Sequence, residues 1–373
     1  MSTSPDPLTS PASKALGKSG KSDETATDSR HFRYLVFIGR FQPFHLGHKA
    51  VIEEALKRAD NVIVLIGSAN LPRSLRNPFT VEERTQMIKG AFAAKDAKRI
   101  HCVGLDDALY NDTRWLQYVQ AGVQSVTNDP SEDLSDKQRK DIGLIGHSKD
   151  SSSYYLSLFP HWASVSVPNY DNLSATPIRE GYLLGATPTK QRTPDSTRKV
   201  LEAFKQTDEY KELHEEAWFV DNYKKQWEST PYPPTFMTAD AVVVQSGHIL
   251  LVERRSMPGR GLWALPGGFV DQKETLLDAC IRELREETKL KVPEPVLRGS
   301  RHSQHTFDDP YRSARGRTIT QAFYFQLKND PKGLPKVKGG DDAASAFWLP
   351  LSDLDPKKMF EDHYAIINKM VGL

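Results

Sequence analysis

Tyr34-Leu-Val-Phe-Ile38 runs straight into Gly39-Arg-Phe-Gln-Pro-Phe-His45-Leu-Gly-His48, and this stretch decides how the first half of the chain folds. The apolar run ending on a glycine reads as a buried strand, and Pro43 sits just ahead of a predicted helix carrying His48. Three further apolar runs, Val62-Ile-Val-Leu-Ile66, Ile100-His-Cys-Val-Gly104 and Ile142-Gly-Leu-Ile145, are separated by helix-length segments of mixed polarity. That alternation predicts the α/β class: a Rossmann-like parallel sheet with helices on both faces. Ligands of such sheets bind beyond the carboxyl ends of the strands, which is where residues 39–48 fall.

Outward from this segment the chain divides. A length of 373 residues exceeds one ordinary core and suits two domains. Pro231-Tyr-Pro-Pro234 denies the backbone a helix and marks the expected boundary, giving a first domain over 31–230 and a second over 231–373. Residues 195–230, with Tyr210, Leu213, Ala217, Trp218 and Val220 among many charges, read as helix closing the first domain. Residues 1–30 are rich in Ser, Thr, Pro, Lys and Asp and read as a disordered tail without the apolar run of a secretory signal. With 50 basic and 48 acidic residues the formal charge is +2, so nothing global favours nucleic acid, and any anion site is local. No apolar run is long enough for a membrane span, and a cytoplasmic protein is expected. The distant pair Cys102 and Cys280 reads as reduced thiols, while homo-oligomerisation is left open.

Gly39 permits close backbone approach to a phosphate, and a helix N-terminus offers free amides and a positive dipole end. His45 and His48, three residues apart near a first helical turn, would face one side and donate to phosphate oxygens as charge develops. Downstream, Ser174-Ala-Thr176-Pro-Ile-Arg179 reads as a second helix start, with Thr176 as N-cap and Pro177 in the first helical position. The 39–48 stretch resembles the signature of the nucleotidylyltransferase superfamily, and 174–179 resembles its second signature. There hydroxyls, helix amides and an arginine hold the ATP triphosphate; Ala175 stands where the family more often has serine.

Three stretches bear on the acceptor. Arg73, Arg76, Asn77 and Arg84 gather polar and cationic groups around a predicted Thr80–Glu83 capping box. Asn111-Asp-Thr-Arg114-Trp115 follows the third strand, where Trp115 suits either a flat heteroaromatic ring or a core position. Gly146-His-Ser-Lys149-Asp150 follows the fourth. Together these stretches resemble the archaeal-type nicotinamide mononucleotide adenylyltransferases over roughly residues 33–185. The resemblance implies that the 5′-phosphate of nicotinamide mononucleotide attacks the α-phosphorus of ATP, with Mg²⁺ carried by the leaving pyrophosphate. It places Gly39, Arg40, Phe41, Arg76, Asn77, Trp115, Gly146, Lys149, Asp150, Ser174 and Thr176 around the nucleotides, with His45, His48 and Arg179 at the reacting phosphates.

Beyond the prolines, Ala241-Val-Val-Val244 and His248-Ile-Leu-Leu-Val252 flank Gln-Ser-Gly and read as a hairpin, and the class changes to α+β. Gly267-Gly268, Glu274 and Arg282-Glu-Leu-Arg-Glu-Glu287 follow. On a helix Glu283, Glu286 and Glu287 stand at i, i+3 and i+4, which predicts carboxylates on one face and a hard cation, Mg²⁺ or Mn²⁺, among them. The pattern matches the Nudix box, with Gly267, Gly268, Glu274 and Arg282 in bracing positions and Lys289 where the box ends in a left-handed glycine. Gln304 to Arg317, carrying Arg312, Arg315 and Arg317 with aromatic neighbours, resembles the substrate loop of ADP-ribose pyrophosphatases, which implies cleavage to AMP and ribose 5-phosphate. The arrangement as a whole resembles bacterial proteins that fuse both activities, with ATP, nicotinamide mononucleotide and ADP-ribose as small-molecule partners. Two alternatives stand beside it: hydrolysis of another nucleoside diphosphate derivative, and a non-hydrolytic ADP-ribose sensor. Regulators of the latter kind lose box carboxylates that this chain keeps.

Overall fold

The computed structural model describes residues 31–127, 141–147, 158–168 and 170–373. Expectations for the tail over 1–30, and for Lys149 and Asp150, fall outside these residues.

The first sheet follows the predicted alternation. Strand β1 (Phe32–Gly39) leads to helix α1 (Leu46–Arg58), β2 (Ala59–Ile66), α2 (Val81–Lys89), the short α3 (Ala94–Ala97), β3 (Ile100–Gly104), α4 (Asp112–Thr127) and β4 (Ile142–His147). A fifth strand, β5 (Ala163–Val167), was not expected, because Ala-Ser-Val-Ser-Val alternates over only five residues and has no continuous apolar run. Strand order is β3-β2-β1-β4-β5, all parallel, so β1 lies in the middle of the described sheet. Alternate residues of β1 feed opposite faces, as the pleat requires: Leu35 and Phe37 join one core with Val51, Ile52 and Met87, and Val36 joins the other with Val119, Val123 and Phe159.

Three helices complete this half: α5 (Ala175–Leu183), α6 (Asp195–Phe204) and α7 (Asp208–Lys225). Tyr210, Leu213, Ala217 and Val220 recur every three or four residues along α7 and are buried, while Trp218, off that stripe, is 44% exposed. After the prolines the second sheet begins.

Strands β6 (Phe236–Gln245) and β7 (His248–Arg254) form the expected hairpin, closed by Ser246 and Gly247, both at positive φ (48° and 72°). Such a turn matches the twist of its strands. Next come β8 (Trp263–Ala264), β9 (Gly267–Phe269), helices α8 (Leu276–Thr288) and α9 (Glu294–Gly299), strands β10 (Arg301–Phe307), β11 (Thr318–Gln326) and β12 (Ala343–Pro350), and α10 (His363–Val371). The order is β10-β11-β6-β7-β12, with β8 beside β7 and β9 beside β6; the β6–β11 pair is parallel and the other pairs are antiparallel. Ala241 and Val243 point to the core under α8, and Val242 and Val244 to the core under α10, so this mixed sheet is sandwiched between helices. Among the described residues, no helix is long and apolar enough to cross a membrane.

Candidate functional sites

At the end of β1 the chain turns into α1 through His45, which is the N-cap and not a residue of the first turn. Its Nδ1 accepts from the amides of Gly47 (3.1 Å) and His48 (3.4 Å), and His48 Nδ1 accepts from the His45 amide at 3.4 Å. The imidazoles stack at 3.6 Å between centroids. An Nδ1 that accepts fixes the neutral tautomer with its proton on Nε2, so the cap itself prepares each ring as a donor at its other nitrogen.

Packing in the turn adds to the sequence expectation for Gly39, and the expected cap at Thr176 needs correcting. Phe41, at φ 53°, is 1% exposed, its ring edge-on to Phe37 and His48. A side chain on Gly39 would meet that ring at 2.9 Å. Gly39 therefore admits Phe41, and Phe41 is a floor beneath the histidines. In the second signature, Ser174 is the N-cap, accepting from the Thr176 amide at 3.4 Å, because its hydroxyl enters the helix first; Thr176 and Pro177 lie inside α5.

The arginines separate into struts and site groups. Arg84, 1% exposed, donates to the carbonyls of Arg40, Gly67 and Thr80 and so locks the β1 and β2 ends together. Arg73 pairs with Glu83, and the Thr80–Glu83 capping box forms as predicted. Arg179, 5% exposed, ties Gln42 O (2.9 Å) to Leu75 O (3.0 Å). Arg40 differs: its Nη1 is buried with no hydrogen-bond partner, and Asn77 Oδ1 is likewise buried and unpartnered. Burial and the neighbouring charges of Arg76 and Arg179 lower the Arg40 pKa to about 10. Three guanidinium groups so placed, with Arg179 buried and Arg40 Nη1 unpartnered, leave an excess of positive charge that an anion would relieve.

Of the remaining residues, Trp115 on α4 is half-buried against the core with Phe159, 6.5 Å between rings. Arg114 beside it donates to Leu373 O. Gly146 is buried on β4. Reading the sequence also missed Ser68 (φ 56°) and Asp107: the hydroxyl and amide of Ser68 donate to the Asp107 carboxylate at 2.6 and 3.1 Å, pinning the loops after β2 and β3.

The second site lies where β9 meets α8. Thr275 caps α8 by accepting from the Asp278 amide, and Lys289 ends it at φ 51°, adopting the left-handed conformation for which the pattern favours glycine. A Cβ on Gly268 would collide with the Glu283 carboxylate, and one on Gly267 with Asp240, so both glycines are needed for close approach. Glu274 grips Arg282 through both oxygens (2.7 and 3.1 Å), and Arg282 Nη1 in turn bonds Glu283 (2.8 Å) and Glu286 (3.0 Å).

The expectation of three converging carboxylates holds for only two of them. Glu283 and Glu287 line the pocket; the Glu286 side chain, 44% exposed, is turned towards Arg282, whose charge relieves the repulsion that would otherwise splay the helix face. Among the described residues, no group of acidic, histidine or cysteine side chains is gathered tightly enough to hold an ion as it stands. Glu287 accepts from the Gly267 amide at 3.1 Å, yet burial, with Glu283 and Asp240 nearby, pushes its pKa up to about 8. Glu283 is also raised, chiefly by burial. Buried oxygens that resist ionisation without a counter-charge are the donor set a hard divalent ion fits, with Glu286 joining if it leaves Arg282.

Opposite these carboxylates stand Arg254, Arg312 and Arg315. Arg315 lies over the Phe269 ring at 5.0 Å and has a buried, unpartnered Nε. Arg312 is not the free phosphate fork the loop suggested: its Nε and Nη2 bond the two oxygens of Asp362 at 2.9 Å each. Burial would lower its pKa, but Asp362 outweighs that and holds it up. Arg317 lies outside the pocket lining and donates to Asp308 O. Asp240, Glu361 and His363 also line the pocket and escaped sequence reading. Burial raises Glu361 to about 7 and lowers His363 to about 4, and His363 Nδ1 accepts from the Leu265 amide at 2.9 Å.

Comparison with known proteins gives a consistent result for both halves. Residues 36–181 match the cytidylyltransferase-like family model and residues 234–370 the NUDIX domain model. The chain is 42% identical over 185 residues to a nicotinamide/nicotinic acid mononucleotide adenylyltransferase of Acinetobacter baylyi, covering 49% of this chain and 93% of that one. It is 35% identical over 131 residues to an ADP-ribose pyrophosphatase of Methanocaldococcus jannaschii, covering 35% of this chain and 70% of the relative. Across both halves it resembles the crystal structure of a bifunctional NMN adenylyltransferase/ADP-ribose pyrophosphatase from Francisella tularensis, complexed with AMP and a Mn ion. That match has 36% identity and a TM-score of 0.83, and covers 91% of this chain and 99% of the other.

Proposed function

The chain belongs to the family of bifunctional nicotinamide mononucleotide adenylyltransferase/ADP-ribose pyrophosphatases, and from that premise we propose that it makes NAD from ATP and nicotinamide mononucleotide at the first site and hydrolyses ADP-ribose at the second. The observation that carries the reading is the buried, unpartnered Nη1 of Arg40, set beside the charges of Arg76 and Arg179 at the mouth of a capped helix.

In the transfer, a 5′-phosphate oxygen of the mononucleotide forms a bond to the α-phosphorus of ATP while the bond from that phosphorus to the bridging oxygen breaks and pyrophosphate leaves. Arg40, Arg76, Arg179 and the α1 amides neutralise the triphosphate, and Nε2 of His45 and His48 donate where charge accumulates. Asn77 Oδ1 accepts from a ligand N–H or O–H. Mg²⁺ brought in with ATP is the expected companion.

At the second site Glu283 and Glu287, joined by Glu286, would hold Mg²⁺ or Mn²⁺. When bound, such an ion supplies Lewis acidity towards the diphosphate and the attacking water. Arg254 and Arg315 face the same space and bind the diphosphate oxygens, Arg315 held by its stack on Phe269. Arg282 braces the carboxylates from behind, and the Gly267 amide fixes Glu287. Water adds to one phosphorus, the phosphoanhydride breaks, and AMP and ribose 5-phosphate depart. Hydrolysis is preferred over sensing because Glu283, Glu286, Glu287 and the Glu274–Arg282 brace are all in place.

Chromatography of products from ADP-ribose with Mg²⁺ tests the hydrolytic half, beside Glu287→Gln. AMP and ribose 5-phosphate from the wild type alone are expected; intact ADP-ribose refutes the assignment.

A further inference from the structure

The loop between β3 and α4 belongs to the first domain by sequence, yet Tyr110 at its end is packed into the second. Its ring joins the core of Val242, Leu251 and Ile366, edge-on to Phe307 at 5.0 Å between centroids. Its hydroxyl donates to Asp362 Oδ2 at 2.7 Å. The Tyr110 backbone holds φ 63°, a conformation that residues with a Cβ adopt at a cost, and here it sends the side chain across.

Asp362 is the carboxylate to which Arg312 is bound through Nε and Nη2, and the two side chains are 1% and 3% exposed. A buried ion pair is held in one geometry only when its remaining hydrogen-bonding capacity is met. Oδ2 already takes Arg312 Nε, and the Tyr110 hydroxyl supplies its second donor. Burial and the adjacent Asp362 raise the phenol pKa, so it stays protonated as that donor. Arg312 faces the hydrolase pocket with Arg254, Arg315 and Glu287, and Nη1 is its one nitrogen not engaged with Asp362. A second hold acts on the neighbouring residue: Arg76 donates to Tyr311 O at 3.2 Å and lies over the Tyr311 ring at 5.1 Å.

We infer that Tyr110 is a positioning residue of the hydrolase site supplied by the transferase domain, fixing through Asp362 the direction in which Arg312 presents Nη1 to the pocket that takes a nucleoside diphosphate. The inference rests on the hydrolytic reading above. It makes the second site incomplete without the first domain, although the residues concerned are 252 positions apart in sequence.

The test is Tyr110→Phe in the full chain, which keeps the ring on Phe307 and removes only the hydroxyl. KM for ADP-ribose should rise about tenfold, the scale of one hydrogen bond to a charged group. The hydrolytic kcat and the rate of NAD synthesis should stay within about twofold. In an Arg312→Lys background the same change should add nothing, because the hydroxyl acts through that side chain; a purely structural tyrosine would weaken both backgrounds equally. Unchanged KM, additive losses, or a parallel loss of NAD synthesis would overturn the inference. If the wild type leaves ADP-ribose intact, the hydrolytic reading fails on its own. Calorimetric titration of ADP-ribose into wild type and Tyr110→Phe then decides this inference: about tenfold weaker binding supports it, and equal dissociation constants overturn it.

Discussion

Replacing Glu287 with Gln should stabilise the metal-free chain, and increasingly so as the pH rises. Glu287 is 8% exposed, faces Glu283 and Asp240, and has its pKa lifted from 4.5 to about 8, first by burial and only partly offset by the Gly267 amide and Arg254. The sign follows from proton counting: between pH 4.5 and 8 the folded chain binds the proton and the unfolded chain has released it, so stability falls as pH rises through that window and levels off above it. A shift of about 3.5 units corresponds to a ceiling of about 5 kcal/mol. Local opening at the end of α8 keeps the measured loss below that, at about 3 kcal/mol or on the order of 10 °C in Tm for a domain of this size. Gln retains the acceptor for the Gly267 amide and never ionises, so it removes the penalty and leaves the packing. Thermal unfolding in EDTA at pH 5 and pH 8.5 is the assay. The two chains should melt together at pH 5 and separate at pH 8.5, and saturating Mn²⁺ should raise the wild type selectively. A Tm difference that does not change between these pH values would refute the argument, since Glu287 would then be ionised and compensated in the folded state throughout.

Two other changes address other links of the structure. His48→Ala removes one imidazole from the capped start of α1 and should lower NAD synthesis by about 10² or more while ADP-ribose hydrolysis is unchanged; parallel loss of both in a folded protein would contradict the two-site arrangement. Lys289→Gly relieves the left-handed backbone at the end of α8 and should stabilise the chain by about 0.5–1 kcal/mol, read as a Tm higher by about 2 °C; a lower Tm would mean that the packing of the Lys289 stem against Gly340 outweighs the backbone term.

How much of this was legible depends on how far apart the cooperating residues lie. The alternation of apolar runs was enough for the parallel sheet, because each βα unit carries its own periodicity, and β5 escaped because its Ala-Ser-Val-Ser-Val run, although it alternates, is short and lacks the continuous apolar character of the other strands. Spacing within one helix was equally informative: Thr80 with Glu83 and His45 with His48 meet as their three-residue separation requires. For Glu286 the spacing from Glu283 also held, since one Arg282 nitrogen bonds both carboxylates, yet of the three only Glu283 and Glu287 line the pocket. The capping residue of α5 was misplaced by two positions, since Ser174 rather than Thr176 accepts from a first-turn amide.

Failures of a different kind occur where a partner is distant. Three arginines within six residues suggested three phosphate forks. One of them, Arg312, is bound to Asp362, 50 residues away, and Asp362 is held in turn by Tyr110 from the other domain. Nothing near Tyr110 in sequence indicates a role in the second half of the chain, and Glu361-Asp362-His363 reads locally as a polar start to a last helix. Glu361 and His363 line the pocket and Asp362 holds Arg312 there, so this part of the pocket is one that only tertiary contact reveals. The box on α8 identifies the chemistry from sequence; the wall opposite it is assembled from β7, residues 308–317 and the start of α10, segments distant in sequence, with Tyr110 of the first half behind Asp362.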